Sequence, residues 1–135
     1  MLPVCFRAPK TAILYIRTFS GDQSAFTAKM QEFMLRKFCD EKKIQVIDTI
    51  RTHVDEAESI RFLTSYFETI QSPVDILLAV RLIRYSSLLY DLYGVCDLYL
   101  TRGIELYSLE YGDAIRHHIP VFYNPYSGRK RKIKE

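Results

Sequence analysis

The stretch TAILYIRTFSGDQS, residues 11–24, contains the pattern that decides the fold, a short apolar segment followed at once by a polar turn. TAILYIR at 11–17 is almost continuously apolar and rich in β-branched residues, which predicts a strand buried on both faces. FSGDQS, with Gly21, is typical of a turn. Three further apolar segments predict strands, and these are IQVIDTI at 44–50, VDILLAV at 74–80 and IELYSL at 104–109.

Segments with helical spacing of apolar residues separate these strands. Residues 25–42, 59–70 and 86–102 each carry one apolar stripe and predict amphipathic helices. Strands that alternate with helices predict a three-layer α/β domain, with a mainly parallel four-stranded sheet and helices on both faces. IPVFY at 119–123 is a candidate short edge strand, because Pro120 is compatible with a sheet edge.

Length and composition indicate one globular domain. The chain has 135 residues, of which 48% are apolar and 26% are charged. We expect an irregular lead-in at 1–10, the domain at 11–123 and a basic mobile tail at 124–135. The sequence contains neither a membrane-spanning apolar run nor a secretory signal. Its three cysteines therefore predict reduced thiols in a cytoplasmic protein without membrane association.

Basic charge is concentrated in the last seven residues, RKRKIKE at 129–135. They carry five basic groups and one acid, and the rest of the chain has 14 basic and 15 acidic groups. A basic cluster of this kind binds nucleic-acid phosphates, so DNA is the expected partner, and a solubilising segment is the alternative. The candidate DNA-binding residues are Arg81, Arg129, Lys130, Arg131 and Lys132.

The sequence has no motif for a nucleotide cofactor or a metal. It lacks GxGxxG, GxxxxGK[ST] and GxSxG, so no cofactor is expected. The acidic residues within 48–58 are interpreted as a solvated loop rather than a carboxylate metal site. The cysteines lack zinc spacing, and His117 and His118 would point to opposite faces of a strand, so no metal site is predicted.

Four arginines are predicted near strand ends or in the first turn of a helix, and these are Arg17, Arg61, Arg81 and Arg84. Because the carboxyl ends of parallel strands meet at one edge of a sheet, we expect these side chains to converge there. Several guanidinium groups suit a phosphate, and Ser20 at the same edge would be a nucleophile for phosphoryl transfer. Ordinary surface arginines are the alternative.

The order of these features resembles the catalytic domain of the serine recombinases, the resolvase/invertase family. YIRTFSGDQ at 15–23 is similar to their opening Tyr-x-Arg-x-Ser segment, and Gln31 lies where the next helix carries a Gln. Arg61 matches the Arg that opens their second helix. VDILLAVRLIRYSS at 74–87 is similar to their Asp-apolar strand, which runs into Leu-Asp-Arg-x-x-Arg. The resemblance covers about residues 11–110.

In that family a serine attacks a DNA phosphodiester and forms a 5′-phosphoserine link, arginines bind the scissile phosphate, and subunits exchange strands as a tetramer. The resemblance therefore implies a resolvase-like fold and a function in site-specific DNA recombination on mobile elements. It also implies a homo-oligomer, either a dimer or a tetramer. Carried over by position, Arg17, Arg61 and Arg84 are phosphate ligands, and Ser20 is the candidate nucleophile.

Three positions depart from the family pattern. Phe19 stands in the register of the nucleophile, with Ser20 one residue late, Ile83 replaces the Asp before Arg84, and Ser87 replaces the partner Arg. The long helix that follows the fourth strand in the family is not evident. Three functions therefore stay open: a recombinase domain that cleaves DNA, a resolvase-like module that binds DNA or a partner without cleavage, and an unrelated α/β protein that binds a small phosphorylated ligand.

Overall fold

The structure, a computed structural model, describes residues 10–21 and 24–119, with the backbone alone for 24–26. Strands and helices alternate through this part of the chain. The strands are β1 (Thr11–Thr18), β2 (Gln45–His53), β3 (Ile76–Ala79) and β4 (Glu105–Ser108). The helices are α1 (Ser24–Lys42), α2 (Glu56–Phe67), α3 (Leu82–Tyr85) and α4 (Leu89–Leu100), and a 3₁₀ turn follows at Ile115–His117.

The four strands form one parallel sheet in the order β2-β1-β3-β4. The chain steps from β1 to β2 in one direction, and then passes back across β1 to β3 and β4 in the other. Right-handed crossovers place the helices of opposite steps on opposite faces of a sheet. Accordingly, α1 packs on one face and α2 and α4 pack on the other. The predicted three-layer α/β fold is confirmed.

Strand β1 lies in the interior of the sheet, and residues 12–18 are all buried. Ile13 and Tyr15 belong to the core beneath α2 and α4, whereas Leu14 and Ile16 belong to the core beneath α1. Both faces of the strand are therefore covered, which is why its sequence is continuously apolar instead of alternating.

The predicted helix over 86–102 is divided into α3 and α4, with Ser86 and Ser87 between them. The Ser86 hydroxyl accepts a hydrogen bond from the Leu88 N–H at 3.0 Å. The Glu56 carboxylate accepts one from the Ser87 N–H at 2.8 Å. In a continuous helix these N–H groups would bond to backbone carbonyls of the preceding turn. Here they bond to side-chain oxygens instead, and the helix breaks at this point.

The segment 48–58, whose acidic residues are interpreted from the sequence as a solvated loop, instead contains the end of β2 and the first turn of α2. Asp55 caps this helix, because its Oδ1 accepts a hydrogen bond from the Glu58 N–H at 2.8 Å. An Asp at this position stabilises a helix start by about 1 kcal/mol. The acidic run is therefore a helix N-terminus with a short connection in front of it.

Several predictions concern residues outside the described part of the chain. The lead-in at 1–9, most of the candidate edge strand and the basic tail lie there. Ile119, the first residue of that candidate strand, is buried but belongs to none of the strands described above. Among the described helices, none combines the length and apolar character needed to cross a membrane.

Tyr85 connects α3 to the sheet. Its side chain is fully buried, and its hydroxyl lies 2.8 Å from the carbonyl oxygens of both Leu77 and Tyr107, which belong to β3 and β4. Burial raises the pKa of Tyr85 well above its usual value, so the phenol keeps the proton that it donates. The ring also stacks on Tyr15, with 5.7 Å between centroids.

We predict that Tyr85→Phe lowers the free energy of unfolding by about 1 to 2 kcal/mol, because it leaves buried carbonyl oxygens without their donor. Tyr66→Phe is the matched control. The Tyr66 hydroxyl bonds Asp48 at 2.8 Å in a more exposed position, and its loss should cost about 0.5 kcal/mol or less. Urea unfolding followed by circular dichroism measures both. Equal losses of unfolding free energy in the two variants would contradict the role of the Tyr85 hydroxyl as a buried donor to the sheet.

Candidate functional site

The candidate site lies at the carboxyl edge of the sheet, where β1 and β3 are neighbours and the strand order reverses. Ligands of open α/β sheets bind at such a switch point. A pocket of about 310 Å³ opens at the same edge, one strand over, beside the residues that follow β1 and β2. Its lining residues are Arg17, Phe19, Ser20, His53, Val54, Asp55 and Glu56.

Arg17, near the end of β1, has a side chain with no solvent exposure. Its guanidinium donates to three backbone carbonyls: Nε to Arg84 at 2.7 Å, Nη1 to Val54 at 2.6 Å and Nη2 to Ile83 at 3.0 Å. Nη2 also lies 3.3 Å from Glu56 Oε1. One side chain therefore joins the end of β1 to the segments that follow β2 and β3.

Glu56 supplies the negative charge beside this buried cation. The same Oε1 that faces Arg17 accepts the Ser87 N–H, so the carboxylate links α2, β1 and the break before α4. A buried cation needs a charge partner and hydrogen-bond acceptors where it lies, because water is excluded. The sequence interpretation places Glu56 in a solvated loop, and this is wrong, because Asp55 caps a helix whose first residue is Glu56.

Arg84 and Gln31 hold the backbone at Arg17. The Arg84 guanidinium donates from Nη1 to the Arg17 carbonyl at 3.0 Å, which is the reverse of the bond that Arg17 makes to the Arg84 carbonyl. The buried Gln31 amide donates to the same Arg17 carbonyl at 2.9 Å and accepts the Arg17 N–H at 3.3 Å. The two arginines are therefore adjacent and fixed, with Gln31 as the support from α1.

The ring of Phe19 lies against both guanidinium groups. Its centroid is 4.8 Å from Arg17 Cζ and 5.0 Å from Arg84 Cζ, which is within the range of cation–π contacts. Phe19 holds the position that corresponds to the nucleophile in the family resemblance. An aromatic ring therefore occupies the place next to the arginines where that resemblance would put a serine hydroxyl.

Ser20 follows in a turn, because β1 ends at Thr18 and Gly21 adopts a φ of 99°. The turn removes Ser20 from the strand alternation, and the residue is exposed while still lining the pocket. Glycine is favoured at this positive φ, which makes the turn a property of the local sequence.

Arg61 and Arg81 lie apart from this pair, in surface ion pairs. Arg61 Nη2 is 2.8 Å from Glu58 Oε2, one helical turn earlier, and the Arg61 side chain is 67% exposed. Arg81 Nε is 3.8 Å from Glu110 Oε2 and equally exposed. Neither lines the pocket. The structure thus brings together Arg17, Arg84 and Ser20 of the predicted set, and residues 129–132 lie outside its description.

Acidic side chains share the pocket with Arg17. Asp55 and Glu56 both line it, and Asp55 already accepts the helix N–H that could otherwise bind an anion. His53 is held by Thr18, whose hydroxyl lies 2.7 Å from the imidazole Nδ1. The described lining thus places two carboxylates beside Arg17, whose guanidinium is already hydrogen-bonded within the protein. In the described part of the chain no group of His, Cys, Asp or Glu is arranged to hold a metal ion.

A buried hydroxyl chain supports the site from below. Ser59 Oγ donates to the Tyr85 carbonyl at 2.5 Å, so Tyr15 must donate its own proton to Ser59 Oγ at 2.6 Å. Burial raises the pKa of Tyr15, which keeps this phenol protonated. Tyr15 therefore orients α2 and α3 behind the arginines and takes no part in the pocket lining.

No protein-family model and no curated protein matches this sequence. Solved structures do match its fold. A resolvase family site-specific recombinase from Streptococcus pneumoniae has a TM-score of 0.69 at 14% identity, over 93% of this chain and 91% of that chain. The N-terminal catalytic domain of TP901-1 integrase has a TM-score of 0.61 at 20% identity, over 93% of this chain and 100% of that chain.

The C-terminal catalytic domain of ISC1926 TnpA, an IS607-like serine recombinase, matches 73% of this chain and 67% of its own length, with a TM-score of 0.56 at 16% identity. All three neighbours are serine recombinase catalytic domains. The resolvase-like fold predicted from the sequence is confirmed. At these identities the likeness concerns the fold, and function has to be argued from the site.

We predict that Arg17→Lys lowers the free energy of unfolding by about 3 kcal/mol, because an ammonium group cannot reach three carbonyls and a carboxylate together. Arg61→Lys, the matched control, should change it by about 0.5 kcal/mol or less, as expected for an exposed pair. Urea unfolding measures both variants. Unchanged or increased stability in Arg17→Lys would contradict a structural role and would suit an arginine reserved for phosphate.

Proposed function

We propose that this protein acts in site-specific DNA recombination, as a domain of the serine recombinase type that associates with DNA without forming the phosphoserine link. The shared fold with recombinase and integrase catalytic domains supports the link to recombination. The observation that carries the absence of cleavage is Phe19, whose ring fills the space beside Arg17 and Arg84.

The chemistry of the phosphoserine step explains why this observation decides between the functions. A serine oxygen must attack phosphorus, and arginine N–H groups must bind the phosphate oxygens while charge develops on them. Four hydrogen bonds already engage the guanidinium of Arg17 with protein acceptors. Turning it toward a phosphate would leave the Val54 and Ile83 carbonyls without this donor, at a cost of about 1 to 3 kcal/mol each.

A second candidate function, cleavage through Ser20, rests on one specific observation. Ser20 lies in a turn and lines the same pocket as Arg17. Cleavage by Ser20 requires the Phe19 ring to leave the two guanidinium groups and Arg17 to give up part of its internal bonding. The roles of Arg61 and Arg84 as phosphate ligands remain predictions within this alternative.

We further propose that copies of this chain associate with one another and that the complex works on DNA in the cytoplasm. Helix α1 supports association, because it exposes large apolar side chains at positions i, i+3 and i+4. These are Met30 (45% exposed), Phe33 (66%) and Met34 (45%). An exposed apolar stripe on a soluble domain is typical of a protein-binding surface. The basic residues Arg129, Lys130, Arg131 and Lys132 would supply the contacts to DNA phosphates.

Binding to DNA should therefore be electrostatic and independent of base sequence. We predict that affinity for a random-sequence duplex falls roughly a hundredfold between about 50 and about 200 mM salt, as expected for about four phosphate contacts. Replacing the four basic residues at 129–132 by Gln should remove most of this dependence. Fluorescence anisotropy of a labelled duplex measures the affinity at each salt concentration. A salt slope that the fourfold replacement leaves unchanged would place the DNA contacts elsewhere.

We predict no covalent adduct with DNA. The full chain is incubated with a library of nicked and intact random-sequence duplexes, denatured, and analysed by mass spectrometry for a nucleotide on a serine. The wild type and Ser20→Ala should give the same empty result, while an active serine recombinase on its own site controls the assay. An adduct that Ser20→Ala abolishes and Ser87→Ala retains would establish cleavage and overturn the proposal.

A further inference from the structure

Within the described residues, helices cover one face of the sheet only in part. Two helices, α2 and α4, pack on one face, whereas α1 lies mainly over β1 and β2 on the other. Beside the C-terminal end of α1, this arrangement leaves a pocket of about 480 Å³ that reaches across to β4. Its volume is within the range of small-molecule sites, about 300 to 1,000 Å³.

The wall of this pocket is apolar. Phe38 comes from α1, Ile44 from the connection to β2, Ile76 from the start of β3 and Tyr107 from β4. All but Ile76 are only partly buried, although each packs against the core beneath α1. Apolar surface left partly in water at a concave site is stabilised when an apolar ligand covers it.

Three lysines also line the pocket: Lys10, Lys42 and Lys43. All three are exposed, and no ion pair within the described part of the chain includes any of them. Among the described residues, no acidic side chain is part of the lining. Nearby carboxylates are already engaged, since Asp75 accepts the Thr11 N–H at 2.8 Å and Glu105 binds Arg116 at 2.9 Å.

The lysines need an explanation beyond helix capping. The dipole of α1 favours cations at its C-terminal end, which accounts for Lys42. It does not account for Lys10, which belongs to the segment before β1. Lys43 adopts a φ of 59°, a left-handed conformation that favours Gly or Asn, so the backbone gives no reason for lysine there.

We propose that this pocket binds an amphiphilic anion, whose anionic head group pairs with the lysines and whose alkyl or aryl body covers the apolar wall. Charge complementarity identifies the head group, and the four apolar side chains identify the body. Lys10, Ile44 and Ile76 lie at the amino ends of β1, β2 and β3, at the opposite edge of the sheet from Arg17. The pocket is therefore separate from the candidate site, and the proposal does not depend on the proposed function.

Titration of the full chain with dodecanoate, below its micelle concentration, tests this site by isothermal calorimetry. Dodecan-1-ol serves as the uncharged ligand of the same length, and acetate serves as the head group alone. We expect one dodecanoate per chain, with an affinity at least about tenfold above that of the alcohol and no measurable binding of acetate. Equal affinities for dodecanoate and dodecanol, or no binding of dodecanoate, would overturn the proposal.

Variants locate the site. Lys42→Gln with Lys43→Gln should weaken dodecanoate binding by about tenfold or more and leave the alcohol unaffected. Lys29→Gln, also exposed on α1 but outside the pocket, is the matched control and should change neither. An unchanged affinity in the double variant overturns the assignment.

Discussion

The buried guanidinium of Arg17 is the constraint on which the carboxyl edge of this sheet depends. A cation removed from water must find its acceptors within the protein, and here they are the carbonyls of Val54, Ile83 and Arg84. Three separate segments are thereby held at fixed distances from the end of β1. The arrangement resembles a core interaction more than a binding site, because the acceptors come from the backbone of the protein itself.

Glu56 and Phe19 complete this arrangement in place of a ligand. Two guanidinium groups side by side repel each other unless an anion or an electron-rich surface lies between them. The Glu56 carboxylate provides the anion for Arg17, and the Phe19 ring provides a π face for both arginines. The resemblance to the serine recombinases implies a phosphate and a nucleophile at this position. Here the protein supplies internal partners, and this is the basis on which we propose a function without cleavage.

The order of the strands has consequences at both ends of the sheet. The chain adds β2 on one side of β1 and then adds β3 on the other side. The carboxyl edge therefore has a switch point between β1 and β3. The same reversal puts a single helix of the described chain on one face, and leaves the lysine-lined pocket near the amino ends of the strands. The sheet thus has two separate concave regions, one at its carboxyl edge where Arg17 is bonded within the protein, the other apolar with a basic rim.

The order of elements could be predicted from the sequence alone, since β1 and β3 are apolar on both faces and the segments between strands have apolar residues at helical spacing, although α1 exposes Met30, Phe33 and Met34. Periodicity did not predict the break at Ser86 and Ser87, because it depends on a carboxylate 31 positions away from Ser87 in the chain, that of Glu56. The resemblance identified Arg17, Arg61 and Arg84 as one set, yet the structure pairs Arg17 with Arg84 and leaves Arg61 with Glu58 at the surface. Residue types and spacing determine where an arginine lies along an element. The acceptors around its guanidinium come from loops that are distant in the chain and meet only in the tertiary structure. Those acceptors determine whether the charge stabilises the fold or binds a ligand.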